Sequence, residues 1–406
     1  MISAYWLTNV RLDSGFKQDE DGIIHTQSEF CHLLIENGKI TNIMPAELPL
    51  VTDLPKRDVN RLLALPSFVE KHIHLDKTYM GHGWKSCKPV KNLIERLDFE
   101  ARENLAMLDT VKERAEGMLE LISSSGVTHI RTHVNIDPYV GLKHLEEVRN
   151  ALETYSDKMT YEIVAFPQHG LLRSQSLELM RQAMKNGATI VGGLDPAGVD
   201  GNMELSLAQM MEIAVEANAD IDIHLHDPSE LGLKTMNRLA AMTKEANYHN
   251  RVAISHAFAL GDVPIEEAIE TIDSFAELGV SIISTVLINR KIPPLTLLHD
   301  KGVKVELGCD GFYDSWFPFR NGDILDKANR LVERYSWIDE RSLMEALAFI
   351  TGGKTTLDPN GNRIWPSVGD DANLVLVEAS CSAEAVARRS KRLAVMFNGN
   401  LIRSVI

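Results

Sequence analysis

Cysteine is scarce in this chain: Cys31, Cys87, Cys309 and Cys381 are scattered, with no CxxC pair. That argues against a disulfide scaffold and for reduced thiols in a cytosolic protein. Positive charge is also short. Lys and Arg number 42 against 57 Asp and Glu, a formal charge of −15. An acidic surface repels phosphate backbones, so no nucleic-acid partner is expected. An anionic substrate would need a local basic pocket, and no dense Lys/Arg cluster stands in the sequence to supply one. No apolar stretch approaches the roughly 18 residues needed to span a bilayer, so no membrane association is expected. The opening MISAYWLTNVRLDSG lacks a basic region followed by an apolar run, the pattern of a signal peptide. There is no internal repeat and no low-complexity tract. The expectation is a soluble, cytoplasmic globular protein that acts on a small molecule, with a homo-oligomer left open.

What is present is a regular beat. The chain has 406 residues, 44% of them hydrophobic, enough for one large barrel and a small accessory domain. Strand-like apolar runs occur at 63–69, 128–134, 160–166, 189–193, 221–225, 251–255, 280–284 and 303–307, with amphipathic segments between them at 177–185, 205–217 and 265–278. Strand–helix alternation of this length predicts an α/β fold with a parallel sheet closed into a (β/α)8 TIM barrel. The rival is an open, doubly wound sheet, but no GxGxxG follows the first strand. Both ends of the chain are β-rich. Residues 2–12 read as a strand, Asn37-Gly38 and Asn398-Gly399 as hairpin turns, and 371–378 as another strand. The terminal segments, 1–60 and 366–406, are expected to form one small β-sandwich domain beside a barrel spanning 61–365.

In parallel barrels the reactive residues sit at the C-terminal strand ends. The first strand ends in FVEKHIHLD, which delivers His72 and His74. Residues i and i+2 of an extended segment point the same way, so both imidazoles can meet one cation. The fifth strand brings His224, the sixth His256 and the eighth Asp310. Histidines with one carboxylate suit a borderline divalent metal such as zinc or iron, which acidifies water toward neutral pH. Asp310 is the natural proton acceptor from that water, and His256 is placed to orient the attacking group or stabilise the tetrahedral intermediate. No lysine ends the fourth strand (IVGGLDPAG), so one metal ion is expected rather than two. His133, in IRTHV, reads as a buried barrel histidine. His169 and His226 flank pocket positions. Asp314 and Trp316 shape the mouth after the last strand. Trp84, in the loop GHGWKSC, is a candidate to stack on a planar ring.

These pieces together resemble the amidohydrolase superfamily and, within it, the cytosine deaminase branch. The matching strings are LPSFVEKHIHLDK (65–77), GVTHIRTHVNID (126–137), YEIVAFPQHG (161–170), IDIHLHD (221–227), VAISHA (252–257) and LGCDGFYDSWFP (307–318). The resemblance implies that His72, His74, His224 and Asp310 are metal ligands. It implies that His256 works beside the attacking hydroxide, and that Gln168 hydrogen-bonds a ring amide edge, which needs both a donor and an acceptor. Two positions depart from the branch. It carries a Glu three residues after the fifth-strand histidine as general acid, where this chain has Asp227, with Glu230 three further on. It carries a second acid directly after the eighth-strand Asp, where this chain has Gly311. That departure argues against cytosine itself, or for a bulkier ring.

The expected activity is hydrolytic deamination of an aminated nitrogen heterocycle (cytosine-, pterin- or triazine-like) with loss of ammonia or an amine. Asp310, His256 and Asp227 are the expected catalytic residues. The first rival is a cyclic amide hydrolase on the same site, and the second a non-catalytic binding barrel.

Overall fold

The computed structural model describes residues 4–404, so Ile2 and Ser3 of the expected first strand lie outside the described residues. The barrel is built from eight parallel strands in sequential order: β6 (Phe68–Ile73), β7 (Val127–Asn135), β8 (Thr160–Phe166), β9 (Ile190–Leu194), β10 (Asp220–His224), β11 (Val252–Ser255), β12 (Ser281–Ser284) and β13 (Val305–Leu307), after β1–β5 of the flanking domain. Helices connect most of them. Two, Leu177–Lys185 and Ile265–Leu278, have the bounds read from their apolar periodicity, and a third runs Met203–Ala217. The core joins strand residues such as Ile130, Ile163, Val191, Ile223 and Ile254 to helix residues such as Leu119, Val148, Met210 and Phe275. No helix among the described residues is long and apolar enough to cross a membrane.

The flanking domain is made of β1 (Ala4–Gln18), β2 (Ile24–Glu36), β3 (Lys39–Pro45), β4 (Lys56–Asp58), β5 (Leu63–Pro66), β14 (Leu374–Val377), β15 (Arg392–Phe397) and β16 (Asn400–Ser404). They form one hydrogen-bonded path, β16-β15-β14-β5-β1-β2-β3, with β4 paired to β1. Side chains from both halves of the path, Leu7, Val10, Leu33 and Ile35 with Leu374, Leu376 and Met396, share one core. The other face of β14 and β15, through Val375, Val377 and Val395, joins the barrel core. That division is the period-two alternation of a strand buried on both sides. Both Asn-Gly turns form with both residues at positive φ (Asn37 51°, Gly38 79°; Asn398 47°, Gly399 71°), as two-residue hairpins require.

The run expected as one strand over 63–69 is two. Leu63–Pro66 pairs with β14 in the flanking sheet, and the barrel begins at Phe68. Pro66 has no N–H to continue a ladder. The next donor, Ser67, bonds Asn373 at 3.2 Å, and Phe68 then bonds Gly126 at 2.9 Å, which hands the chain from one sheet to the other.

The barrel closes at its two outermost strands. Asp310 N–H donates to the His72 carbonyl at 2.6 Å across the seam between β13 and β6. Beneath it the fully buried Glu70 accepts from His72 N–H at 2.8 Å and Cys309 N–H at 3.0 Å. Burial pushes the Glu70 carboxyl up to about 7, against these hydrogen bonds. All four cysteines are free.

Candidate metal centre

The closing hydrogen bond brings two of the expected ligands together, and the pleat brings the rest. His72, His133, His224 and Asp310 lie on or just beyond strands whose inward faces converge at the barrel mouth. His72, His133 and His224 offer nitrogens within 4.8 Å of one another, and so do His72 and His74 with a carboxylate oxygen of Asp310. His74 Nε2 lies 3.5 Å and His72 Nε2 3.9 Å from Asp310 Oδ1. His256 is edge-on to His72 at 4.8 Å between ring centres.

The polar satisfaction of these rings is unusual. His72 Nε2, His74 Nδ1, His256 Nδ1 and both ring nitrogens of His133 and His224 are buried without a hydrogen-bond partner. Buried polar atoms are almost always paired, and here one nitrogen each of His72, His133 and His224 lies within 4.8 Å of the others, which fits the ligands of a cation. Burial drives His72, His133, His224 and His256 well below the ordinary imidazole range, which keeps them neutral and able to donate lone pairs. Burial opposes the charge on Asp310, yet Arg320 at 3.1 Å and the hydrogen bond of His74 hold its carboxyl well below the usual range. The donor set therefore fits a divalent metal.

The tautomer of His72 follows from its neighbours. Ser255 Oγ lies 2.7 Å from Asp222, a carboxylate that only accepts, so the hydroxyl donates there. Its lone pair then accepts Nδ1–H of His72 at 2.9 Å, leaving Nε2, the orphaned atom, with its lone pair toward the cluster. Asp222 is anchored in turn by Arg131 at 2.9 Å. His256 and Asp310 both take positive φ (71° and 63°), which costs of order 1 kcal/mol or more each in a non-glycine residue. Their backbone N–H groups bond to Ile283 and His72, and these bonds hold the geometry.

Above the cluster is a cavity of about 400 Å³, of the size that takes a small ligand. Gln168, Asp314 and Trp316 line it with Phe166, His226 and Phe258. Gln168 Oε1 accepts from Lys77 at 3.0 Å, which leaves its NH2 group to the cavity. The Trp316 indole N–H bonds Glu100. Asp314 accepts the N–H groups of Trp316 and Phe317 at 2.8 and 3.1 Å, and burial raises its pKa. Gly311 explains its own lack of a side chain: a Cβ there would stand 2.1 Å from Asp314 Oδ2. The space of the absent acid is filled by the carboxylate of Asp314, three residues on.

Other expected positions fall elsewhere. Trp84 is 81% exposed and does not line the cavity. Asp227 is buried but also absent from the lining. It accepts the Gly198 N–H at 3.0 Å, and burial raises its carboxyl to about 6. The residue that does face the cavity there is His226, whose Nδ1 is 2.9 Å from buried Asp195 and whose ring stacks on His256 at 4.5 Å. The strand offered the signal: in HLH, as in HIH, alternation puts His226 on the side of His224 and Asp227 on the other. His133 is more than a barrel filler, because it stands 4.2 Å from the His72 ring and 4.6 Å from that of His224. The expectation of no basic pocket is also corrected. Lys77, Arg290 and Arg320, far apart in sequence, line one cavity. Composition sees local runs of charge and cannot see loops converging.

Comparison with known proteins finds relatives across most of the chain. The chain is 40% identical over 401 residues to the uncharacterized protein YahJ of Escherichia coli (strain K12), covering 98% of this chain and 87% of that one. It is 30% identical over 351 residues to the N-isopropylammelide isopropyl amidohydrolase of Pseudomonas sp. (strain ADP), covering 85% and 87%. The solved structure of N-isopropylammelide isopropylaminohydrolase from Burkholderia multivorans superposes with a TM-score of 0.86 at 28% identity, covering 99% and 98%. With residues 58–402 matching that family as well, the chain belongs to the Amidohydrolase family.

Proposed function

We propose that this protein is a metal-dependent hydrolase that removes ammonia or an amine from an aminated nitrogen heterocycle of cytosine-, pterin- or triazine-like shape. The observation behind the proposal is the convergence of unpartnered imidazole nitrogens and Asp310 on the floor of a cavity walled by flat apolar groups and the Gln168 amide. The similarity to an N-isopropylammelide isopropyl amidohydrolase supports the same reading.

His72, His74, His224 and Asp310 would hold one zinc or iron ion, with His133 as a neighbouring donor. When bound, the ion supplies Lewis acidity that makes water a nucleophile near neutral pH. The remaining work falls to the protein. Asp310, kept ionised by Arg320, takes the proton of the attacking water. His256 steadies charge on the attacked C–N carbon. His226 Nε2, turned to the cavity while Nδ1 is tied to Asp195, delivers a proton to the ring nitrogen and the departing amine. Asp227 instead braces the loop at Gly198. Gln168 donates from its NH2 to an acceptor on the ring edge, and Phe166 and Trp316 flank the ring plane. The carbon gains an oxygen and loses a nitrogen, and the leaving group departs protonated.

The test is a screen of aminated pyrimidines, pterins and triazines for ammonia or amine release, on protein loaded with zinc or with iron and on its His72→Ala variant. Release by the native protein that the variant lacks supports the proposal. Ring-opened product without amine release refutes it in favour of cyclic amide hydrolysis.

A further inference from the structure

Three cationic side chains line the cavity, and their commitments differ. Lys77 lies 3.5 Å from Glu100 and 3.0 Å from Gln168. Arg320 is held 3.1 Å from Asp310 and donates to the Gly311 carbonyl at 2.8 Å. Arg290 has neither an ion pair nor a side-chain hydrogen bond among the described residues, and its Nε is buried without a partner. The nearest acids that influence it, Asp262 and Asp195, form no ion pair with it. Its guanidinium lies 3.5 Å above the ring of Phe258. An arginine left half-buried with an empty donor is costly unless something else satisfies it.

The side chain is also held in place. Arg334, on the helix Ile324–Tyr335, donates to the carbonyls of Leu287 and Arg290 at 2.9 and 3.0 Å, pinning the loop that presents Arg290. Phe258 gives the guanidinium a flat seat. From there Phe258 approaches His256 at 5.3 Å and His226 at 5.8 Å between ring centres. Arg290 therefore lines the cavity wall with one ring, that of Phe258, between it and His256 and His226.

We infer that Arg290 receives an oxyanion of the substrate, so that the heterocycle carries a carboxylate or an ionised ring oxygen away from the carbon that is attacked. A guanidinium presents parallel N–H donors that match two coplanar oxygens, and stacking on Phe258 leaves its edge free for them. Asn289, also on the lining, stands beside it as a neutral donor. This inference rests on the deaminase reading for its ring, but the anion site is measured separately.

The experiment uses the metal-loaded full chain, its Arg290→Gln and its Arg290→Lys variants. Binding by calorimetry and ammonia release are both read for matched pairs: pterin against pterin-6-carboxylate, cytosine against 5-carboxycytosine, and uracil against barbiturate, the last for binding only. Native protein is expected to favour the anionic member of at least one pair about tenfold or more, as a charge-assisted hydrogen bond allows. Arg290→Gln should collapse that anion-to-neutral ratio, and Arg290→Lys should keep part of it. Preference in the carboxylate pairs assigns a carboxylate, and preference for barbiturate assigns a ring oxyanion. Parity within every pair, or a ratio that survives Arg290→Gln, overturns the inference. Ammonia release with parity would sink the anion site alone. Anion-selective binding with no ammonia from any aminated member would sink the deaminase reading alone.

Discussion

Replacing Ser255 with alanine tests whether the buried chain behind His72 tunes the metal site or only fills space. Ser255 is fully buried and bonds His72 Nδ1 at 2.9 Å and Asp222 at 2.7 Å. The substitution leaves the Nδ1–H of His72 without an acceptor and takes from Asp222 one donor, with Arg131 still at 2.9 Å. An unsatisfied buried polar group costs about 1–3 kcal/mol, so the metal-free protein should lose about that much stability. The second effect is specific. Without the serine lone pair, nothing fixes the proton on Nδ1, and the tautomer that frees Nε2 is no longer enforced. Loss of such a partner typically lowers metal affinity about 10- to 100-fold. Chelator competition measures that affinity, and thermal unfolding of the metal-free protein measures the cost in stability. Ser382→Ala is the control: its hydroxyl lies 3.3 Å from that of Thr356, which donates to Asp13, at a buried site far along the chain, so it should lower stability without touching metal affinity. Metal affinity in Ser255→Ala within twofold of the native value would refute the tautomer argument.

Other outcomes follow from the same geometry. Asp310→Asn should fold, as circular dichroism will check, but lose nearly all turnover, because an amide cannot take the water's proton; retained turnover would remove Asp310 from that role. Asp227→Asn should keep turnover and become more stable relative to the native protein as pH rises. Its carboxyl ionises near 4 when unfolded but at about 6 when folded, so the native protein loses stability across that interval, by at most about 3 kcal/mol above it, and the variant does not. Melting temperatures of both proteins at pH 4.5 and 7.5 will show the difference widening upward; a constant difference contradicts it, and lost turnover would return the proton-transfer role to Asp227. Gln168→Ala should raise KM for heterocyclic substrates more than it lowers kcat, in steady-state kinetics. Stripping the protein with a chelator should lower its melting temperature by several degrees, since an ion at about 100 times its Kd contributes about 2.7 kcal/mol, and zinc or iron should restore it.

Much of the fold was legible because its signals are periodic. The apolar stripe of 177–185 and the apolar run of 160–166 specify their elements directly, and the helix Leu177–Lys185 and strand Thr160–Phe166 have those bounds. The ligand series was legible for a related reason: strand ends in a parallel barrel all open on one mouth, so His72, His224, His256 and Asp310 had to be neighbours. What periodicity cannot see is the handover between sheets. The run 63–69 is continuous in hydrophobicity, and only the missing N–H of Pro66 and the pairing of Leu63–Pro66 with β14 reveal two strands. Loops were the other blind spot. The position of Trp84 after β6 suggests the pocket, but nothing in a loop's composition fixes which way it folds, and it lies in solvent.

The placement of His226 and Asp227 shows where a resemblance and a strand's geometry compete. The resemblance looks for a carboxylate three residues after His224 and finds Asp227. Alternation says that the third residue beyond an inward-facing one faces outward, and it keeps saying so only while the backbone stays extended. Past β10 the strand has ended: Asp195 Oδ1 accepts the adjacent N–H groups of both His226 and Asp227, at 2.5 and 3.0 Å, which an extended backbone would point to opposite sides. The same carboxylate holds His226 Nδ1 through Oδ2. One buried aspartate at the end of β9 thus sets both the path of the chain and the orientation of the ring that path delivers. His226 lines the cavity and Asp227 does not, which is why the proposed route for a proton runs through the imidazole.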